Sequence, residues 1–170
     1  MKSKISSVIA LVAIGLVLTA CLKDESILSY EKQMEKDIAI IDDYLASKGI
    51  TAEIHESGLR YVIHDAGSGT SPVLANSPCV AFDYEGRLLP SESIFGPQAS
   101  VDLYPLIGLI EGFQEGLPLI AEGGSITLYI PSRLGYGPKT VGPIPKNSNL
   151  IFDVDLTSVG TYNETTNSCE

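Results

Sequence analysis

Few side chains in this sequence are suited to acid–base or metal chemistry. His55 and His64 are the only histidines, with Glu56 and Asp65 directly beside them. Such a group could hold a metal ion, but histidines beside carboxylates are common on protein surfaces, and we expect no metal here. The sequence also lacks an HExxH motif, a G-x-S-x-G motif, a Gly-rich phosphate loop and a paired-cysteine zinc site. Metal-assisted or nucleophilic hydrolysis is therefore not indicated, and we expect no cofactor.

Cys21 is a candidate for covalent modification. With the preceding Leu18-Thr19-Ala20 it resembles the lipobox of bacterial lipoproteins, in which the cysteine sulfur receives diacylglycerol. Two lysines and an uncharged run from Ile5 to Ala20 come before it, as in an export signal. An uncleaved transmembrane helix is the alternative, but the charged residues directly after Cys21 favour cleavage. We predict a signal peptide over residues 1–20 and a lipid anchor on Cys21, with the protein at the outer membrane or periplasmic side and surface exposure as an alternative.

The other two cysteines are Cys79 and Cys169, which could pair in an oxidising compartment. Cys79 adjoins Val80 in an apolar run, where a buried free thiol behaves as a small hydrophobic side chain. Cys169 lies in the polar segment 161–170, which has the composition of a disordered tail. We expect a free thiol at Cys79, with pairing left open.

The elements that would position any site begin with an amphipathic helix. Apolar residues recur at spacings of three and four from Ile27 to Leu45, and Gly49 can end a helix because it readily adopts a positive φ. This pattern predicts a helix over Ile27 to Lys48, inside a tether of residues 21–57. Its apolar stripe would either dock on the following domain or pair with a second copy, and docking is the more economical arrangement.

From Gly58 onward the hydrophobic period changes to two, which is typical of strands. Strands are predicted at Leu59–Ile63, Val80–Leu89, Ser125–Ile130 and Leu150–Val159, with a shorter one near Val101–Leu103. Between them, Leu109–Ile120 has helical spacing, and Gly112 and Gly116 suggest close packing on the sheet. The fold class is therefore α+β, a curved antiparallel sheet wrapped around a short helix, over residues 58–160.

Six sequence blocks in this region resemble FKBP-type peptidyl-prolyl cis-trans isomerases, and they occur in family order. They are Tyr84-Glu85-Gly86-Arg87-Leu88-Leu89, the run Leu109 to Leu117, Glu122-Gly123-Gly124, Thr127 to Pro131, Leu134-Gly135-Tyr136-Gly137, and Ile144-Pro145 with Leu150 to Leu156. The resemblance covers about Gly58 to Val159 and implies the FKBP-like fold.

The resemblance also implies a pocket for proline-containing peptide segments. Its walls would be Tyr84, Phe95, Leu109, Ile110, Tyr136, Ile144 and Phe152, with Phe113 as the floor. The Ile110 backbone N–H and the Tyr136 hydroxyl would donate hydrogen bonds to the bound peptide. The activity implied is rotation of the X-Pro peptide bond without covalent chemistry, in the service of folding exported proteins.

Two positions depart from the family pattern. After Phe95 the family usually has an aspartate that hydrogen-bonds the pocket tyrosine, whereas this chain has Gly96-Pro97. Phe113 stands where the family usually has tryptophan, so the floor stays aromatic but lacks an N–H donor. The segment Ser100–Gly108 is also shorter than the family pattern.

Three classes of function follow from these features. A working isomerase is favoured by Tyr136, Ile110 and Phe152 together. A non-catalytic FKBP-fold module that binds peptides as a chaperone is the alternative, favoured by Gly96, and a purely structural surface lipoprotein has little beyond the tether to support it. The net charge of −10 over 170 residues disfavours binding to nucleic acid or to anionic lipid headgroups.

Overall fold

The computed structural model describes residues 29–76 and 78–170. The predicted signal peptide, the lipobox and Cys21 lie outside these residues. Residues 37–170 make up one compact unit, and the described part of the other unit, 29–36, is the beginning of helix α1. No helix in the described part of the chain is long and apolar enough to cross a membrane.

Helix α1 spans 29–48, in agreement with the predicted helix. It ends at Gly49, whose φ of 66° is the left-handed conformation that glycine adopts without a steric penalty. The Ile50 N–H donates to the Leu45 carbonyl at 2.9 Å, which satisfies one of the open carbonyls of the last turn.

The described remainder of the chain contains seven strands and a second short helix. They are β1 (Glu53–Ile54), β2 (Arg60–Asp65), β3 (Pro78–Leu89), β4 (Ser93–Pro105), α2 (Glu111–Gly116), β5 (Ser125–Ile130), β6 (Asn149–Asn163) and β7 (Ser168–Cys169). The strands lie in the order β1-β2-β5-β6-β3-β4, with β7 paired only to β6. Every pairing is antiparallel, so the predicted α+β class with an antiparallel sheet is confirmed.

Helix α2 packs closely against strand β5, as its two glycines predicted. A Cβ atom on Gly112 would lie 2.6 Å from Ile130, and one on Gly116 would lie 2.6 Å from Leu128. Real Cβ atoms do not approach so closely, so any larger residue would push the helix away from the sheet. Ile130 and Leu128 are fully buried beneath it. The helix is shorter than Leu109–Ile120, because residues Leu117–Leu119 continue as a 3₁₀ turn with Pro118 at its start.

From residue 37 onward, helix α1 is part of the compact unit and packs on its sheet. Ile41, Tyr44 and Leu45 form one buried cluster with Leu89 of β3, Tyr129 of β5 and Ile151 of β6. Tyr129 and Ile151 alternate along their strands with residues that face α2, so the two helices cover opposite faces of the sheet. Docking, the first of the two predicted arrangements for this stripe, is confirmed for these residues.

One predicted strand is longer than expected, and two other expectations from the sequence are wrong. The short strand near Val101–Leu103 is the end of the 13-residue β4, which pairs with β3 along its length. The expected disordered tail 161–170 is instead the end of β6 and its partner β7, and a Cys79–Cys169 disulfide replaces the expected free thiol. All three features depend on partners that are distant in sequence, which local composition does not reveal.

Candidate active site

Four aromatic rings cluster near the beginning of strand β6. Phe152, 2% exposed, lies at the centre, with ring centroids 4.8 Å from Phe113, 5.5 Å from Phe95 and 5.7 Å from Tyr84. These rings come from β6, α2, β4 and β3, so four separate elements converge on one place. The structure therefore brings together four of the five aromatic residues that the resemblance assigned to the pocket wall and floor; the fifth, Tyr136, lies in the turn after β5.

Gly86 makes room for this cluster. A Cβ atom at Gly86 would lie 2.6 Å from Phe95 Cε2 and 3.0 Å from Phe152 Cε1. The glycine of the Tyr-Glu-Gly block thus lets the Phe95 ring lie across the strand.

Phe82 is an aromatic residue of this region that the sequence analysis missed. Its ring centroid lies 5.1 Å from that of Phe113 and 5.9 Å from that of Tyr84. Phe82 and Tyr84 are two apart in β3 and so lie on the same face of the strand, a spacing that could have identified it. Phe82 is 1% exposed and packs against both Phe113 and Tyr84, so it supports two of the assigned pocket rings.

The turn after β5 holds Tyr136 between two glycines. The N–H groups of Gly135 and Gly137 both donate to the Ser132 carbonyl, at 3.1 and 2.8 Å. The Tyr136 side chain is half-buried, and this desolvation raises the pKa of its hydroxyl, with a smaller contribution from the nearby Tyr84. The phenol therefore keeps its proton at neutral pH and is available as a hydrogen-bond donor.

Leu109 and Ile110 lie between a 3₁₀ turn, Leu106–Gly108, and the start of α2. Ile110 has extended backbone geometry, and its carbonyl accepts hydrogen bonds from Phe113 and Gln114. Gln114, which the sequence analysis did not select, also donates from its side-chain amide to the Leu109 carbonyl at 2.7 Å. Among the described residues, none accepts a hydrogen bond from the Ile110 N–H.

Ile144 lies in a separate loop. It is 4% exposed and forms an isolated bridge with Val141, through hydrogen bonds of 3.0 and 2.9 Å. The structure thus places Ile144 in a fixed turn before β6, but shows no contact between it and the aromatic rings. Its role as a peptide-binding residue stays a prediction, as do the individual roles of the other pocket residues.

The polar corner of the site is altered at Gly96. This residue lies in β4 opposite Gly86, and a Cβ atom on it would be 3.1 Å from Tyr84 Cε2 and 3.8 Å from the Tyr84 hydroxyl oxygen. A side chain at this position would therefore lie beside Tyr84. With glycine here, the Tyr84 hydroxyl has no carboxylate at position 96 of the kind that the resemblance implies for the pocket tyrosine.

Neither histidine lies among these rings. The His64 ring Nε2 lies 2.8 Å from the Thr127 hydroxyl, and His55 makes its hydrogen bond to Ser57 at 2.9 Å. Within residues 29–76 and 78–170, no three His, Cys, Asp or Glu residues form a group that could hold a metal ion.

Known proteins resemble this chain in both sequence and fold. The family described as FKBP-type peptidyl-prolyl cis-trans isomerase matches residues 73–157. FkpA from Escherichia coli K12 is 34% identical over 141 residues, covering 77% of this chain and 51% of that protein. A probable FkpA from Neisseria meningitidis is 36% identical over 129 residues, covering 74% of this chain and 46% of that protein.

The similarity in three dimensions is consistent with these matches. The crystal structure of E. coli FkpA superposes with a TM-score of 0.62 at 30% sequence identity, covering 95% of this chain and 74% of that one. This chain spans about half the length of the curated relatives it matches. The protein belongs to the FKBP-type peptidyl-prolyl cis-trans isomerase family.

Proposed function

We propose that this protein is a peptidyl-prolyl cis-trans isomerase that assists the folding of exported proteins. The observation that carries the proposal is the convergence of Tyr84, Phe95, Phe113 and Phe152 in one aromatic cluster, in a chain of this family. Such a site offers a proline ring an apolar surface and needs no nucleophile or metal ion.

The physical basis of the catalysis is the electronic structure of the amide. The X-Pro bond resists rotation because of its partial double-bond character, with a barrier of about 18–20 kcal/mol. Conjugation is lost at the twisted transition state, which is less dipolar than the planar amide. Transfer from water to an apolar site therefore raises the free energy of the planar amide more than that of the twisted one, and the barrier between them falls. Every tenfold gain in rate needs about 1.4 kcal/mol of such differential stabilisation.

Tyr136 and Ile110 would orient the substrate. The Tyr136 hydroxyl, like any phenol, is protonated at neutral pH, and burial raises its pKa further; it would donate to a peptide carbonyl. The Ile110 N–H would donate to a second carbonyl and so fix the chain on both sides of the proline. Two fixed carbonyls favour the twisted geometry because they limit the conformations available to the bound peptide.

A protease-coupled assay on an X-Pro peptide tests this proposal. We expect the wild-type protein to accelerate cis–trans conversion and Tyr136→Phe, which removes only the hydroxyl, to lower kcat/KM by about three- to tenfold, as for one lost hydrogen bond. If cis–trans conversion with the wild-type protein is no faster than the uncatalysed reaction, the isomerase proposal is wrong.

A non-catalytic chaperone is the second candidate, because Gly96 removes the carboxylate that the resemblance places beside Tyr84. It requires that the protein bind proline-containing segments with measurable affinity while leaving their isomerisation rate unchanged. Isothermal titration with the same peptide used in the activity assay separates the two candidates.

We also propose that the protein is exported and anchored through lipid on Cys21. Support comes from the lipobox resemblance and from the Cys79–Cys169 disulfide, since disulfides persist mainly in oxidising compartments. A relative from Legionella longbeachae, 33% identical over 138 residues, is named outer membrane protein MIP. Radiolabelled palmitate should be incorporated by the wild-type protein in bacterial cells and not by Cys21→Ser, and equal labelling of both would reject the anchor.

A further inference from the structure

Helix α1 carries a buried carboxylate that bonds to the turn holding Tyr136. Asp37 is 1% exposed, and its Oδ2 accepts hydrogen bonds from the Ser132 N–H at 3.0 Å and from the Ser132 hydroxyl at 2.5 Å. Ser132 itself is 0% exposed. A buried carboxylate is stable only where hydrogen bonds replace its lost hydration, so this pair forms a specific contact between two segments distant in sequence.

Asn149, the first residue of β6, completes the contact. Its side-chain amide donates to the Asp37 backbone carbonyl at 3.2 Å, and its side-chain oxygen accepts from the Ser132 N–H at 3.0 Å. Helix α1, the turn after β5 and the start of β6 are thus joined at one buried point. Every partner is held by at least two hydrogen bonds, which limits the movement of Ser132.

The Ser132 carbonyl transmits this restraint to Tyr136. It accepts the N–H groups of Gly135 and Gly137, the two residues on either side of Tyr136. The Gly137 carbonyl in turn accepts the Asn147 N–H at 2.7 Å. The backbone that carries Tyr136 is therefore fixed through Ser132, whose own N–H and hydroxyl are fixed by Asp37.

From this chain of contacts we infer that Asp37, on helix α1, is a positioning residue for the Tyr136 hydroxyl. The inference rests on the proposed function. Asp37 lies outside residues 73–157, the part of the chain that the family match covers. A catalytic hydroxyl displaced by a fraction of an ångström loses much of its effect, because hydrogen bonding depends steeply on distance and angle.

A double-mutant cycle on the full chain separates positioning from general stability. Asp37→Ala should lower kcat/KM for an X-Pro peptide in the wild-type background by no more than Tyr136→Phe does, about three- to tenfold, because it acts through the same hydrogen bond. In a Tyr136→Phe background the same substitution should change kcat/KM by less than about twofold, because the hydroxyl it positions is already gone.

Leu45→Ala is the matched control. Leu45 lies on the same helix and is buried in the cluster with Tyr129, but it is not part of the Asp37 and Ser132 contacts. It should lower stability in urea while leaving kcat/KM unchanged in both backgrounds. If Asp37→Ala does not fold, Ser132→Ala, which removes only the hydroxyl contact, takes its place in the cycle.

Nuclear magnetic resonance gives a readout that does not depend on activity. Asp37→Ala should shift the Gly137 amide and Tyr136 ring resonances, and Leu45→Ala should not. Additive losses in the cycle, or unchanged Tyr136 and Gly137 resonances in a folded Asp37→Ala protein, would overturn the inference. If the wild-type protein has no isomerase activity, the proposed function fails, and the resonances alone decide whether Asp37 fixes the turn.

Discussion

Gly96 and Tyr84 define the least family-like part of the site. Aspartate at position 96 would place a carboxylate next to the Tyr84 hydroxyl, since the Cβ position lies 3.8 Å from that oxygen. The Tyr84 ring must yield by a few tenths of an ångström, because its Cε2 is 3.1 Å from the same position. We expect Gly96→Asp to raise kcat/KM by about two- to tenfold, the effect of one added hydrogen bond.

Gly96→Ala is the control for this substitution, because it adds the same Cβ crowding without an acceptor. It should leave kcat/KM unchanged or slightly lower in the coupled assay. A clear loss of activity in Gly96→Asp that Gly96→Ala does not share would show that the pocket has been assigned wrongly.

The raised pKa of the Tyr129 phenol makes the free energy of unfolding depend on pH above about 10. Burial, with smaller contributions from neighbouring groups, raises the pKa of its phenol from 10 to about 12. Between these values the unfolded chain releases the proton while the folded chain keeps it, so the folded state loses stability as pH rises from about 10. Urea unfolding from pH 9 to 11.5 should show this decline, and Tyr129→Phe should reduce it. An equal decline in both proteins would contradict the assignment.

At the scale of elements, helix α1 from residue 37 onward should contribute strongly to stability. Ile41 is fully buried among side chains of β3, β5 and β6. We expect Ile41→Ala to lower the free energy of unfolding by about 2–4 kcal/mol, because it removes buried methyl groups and leaves a cavity. Asp43→Ala, at an exposed position of the same helix, should change it by less than about 0.5 kcal/mol in the same urea titration.

The contrary result would be equal unfolding midpoints for Ile41→Ala and the wild-type protein. It would mean that the helix does not dock on the sheet in solution. The apolar stripe would then be free for the arrangement that the sequence left open, pairing with a second copy, and the oligomeric state would have to be measured by sedimentation.

Hydrophobic periodicity and glycine positions in the sequence predicted the elements whose structure is set by nearby residues. Strand β5 was predicted with its observed bounds, Ser125–Ile130, and the two α2 glycines predicted the close packing on the sheet. Strand β4 was mostly missed because Gly96-Pro97 is typical of a loop, and only pairing with β3 makes that stretch a strand.

The polar contacts and the disulfide could not be predicted for a different reason. Asp37 and Ser132 are 95 residues apart, and nothing near either one identifies the other as its partner. Cys79 and Cys169 are 90 residues apart, and their pairing depends on the hairpin of β6 and β7. The aromatic cluster was found because the family resemblance supplied its residues together.

For the whole molecule, the disulfide ties the C-terminal hairpin to the sheet. Cys79 is fully buried in β3, while Cys169 lies in β7 near the end of the chain. Reduction should lower the free energy of unfolding by about 2–4 kcal/mol, since the bond constrains a long loop of the unfolded chain. The disulfide does not involve the aromatic cluster of Tyr84, Phe95, Phe113 and Phe152. At denaturant concentrations below the unfolding transition, kcat/KM of the reduced protein should therefore equal that of the oxidised protein.

The control for reduction is a Cys79→Ala, Cys169→Ala variant, whose urea midpoint should not respond to dithiothreitol. A wild-type midpoint that is unchanged by reductant would show that the two thiols are not joined in solution. A large loss of activity on reduction, with the fold intact, would show that the hairpin reaches the site.

The central claim is that an aromatic, apolar site lowers the barrier to rotation about an X-Pro bond without covalent chemistry. Exchange NMR of an X-Pro peptide with a small molar fraction of the wild-type protein tests it most directly. We expect cis–trans exchange cross-peaks that are absent without protein and weaker with Tyr136→Phe. An exchange rate equal to that of the free peptide, under conditions where the peptide binds, would contradict the claim.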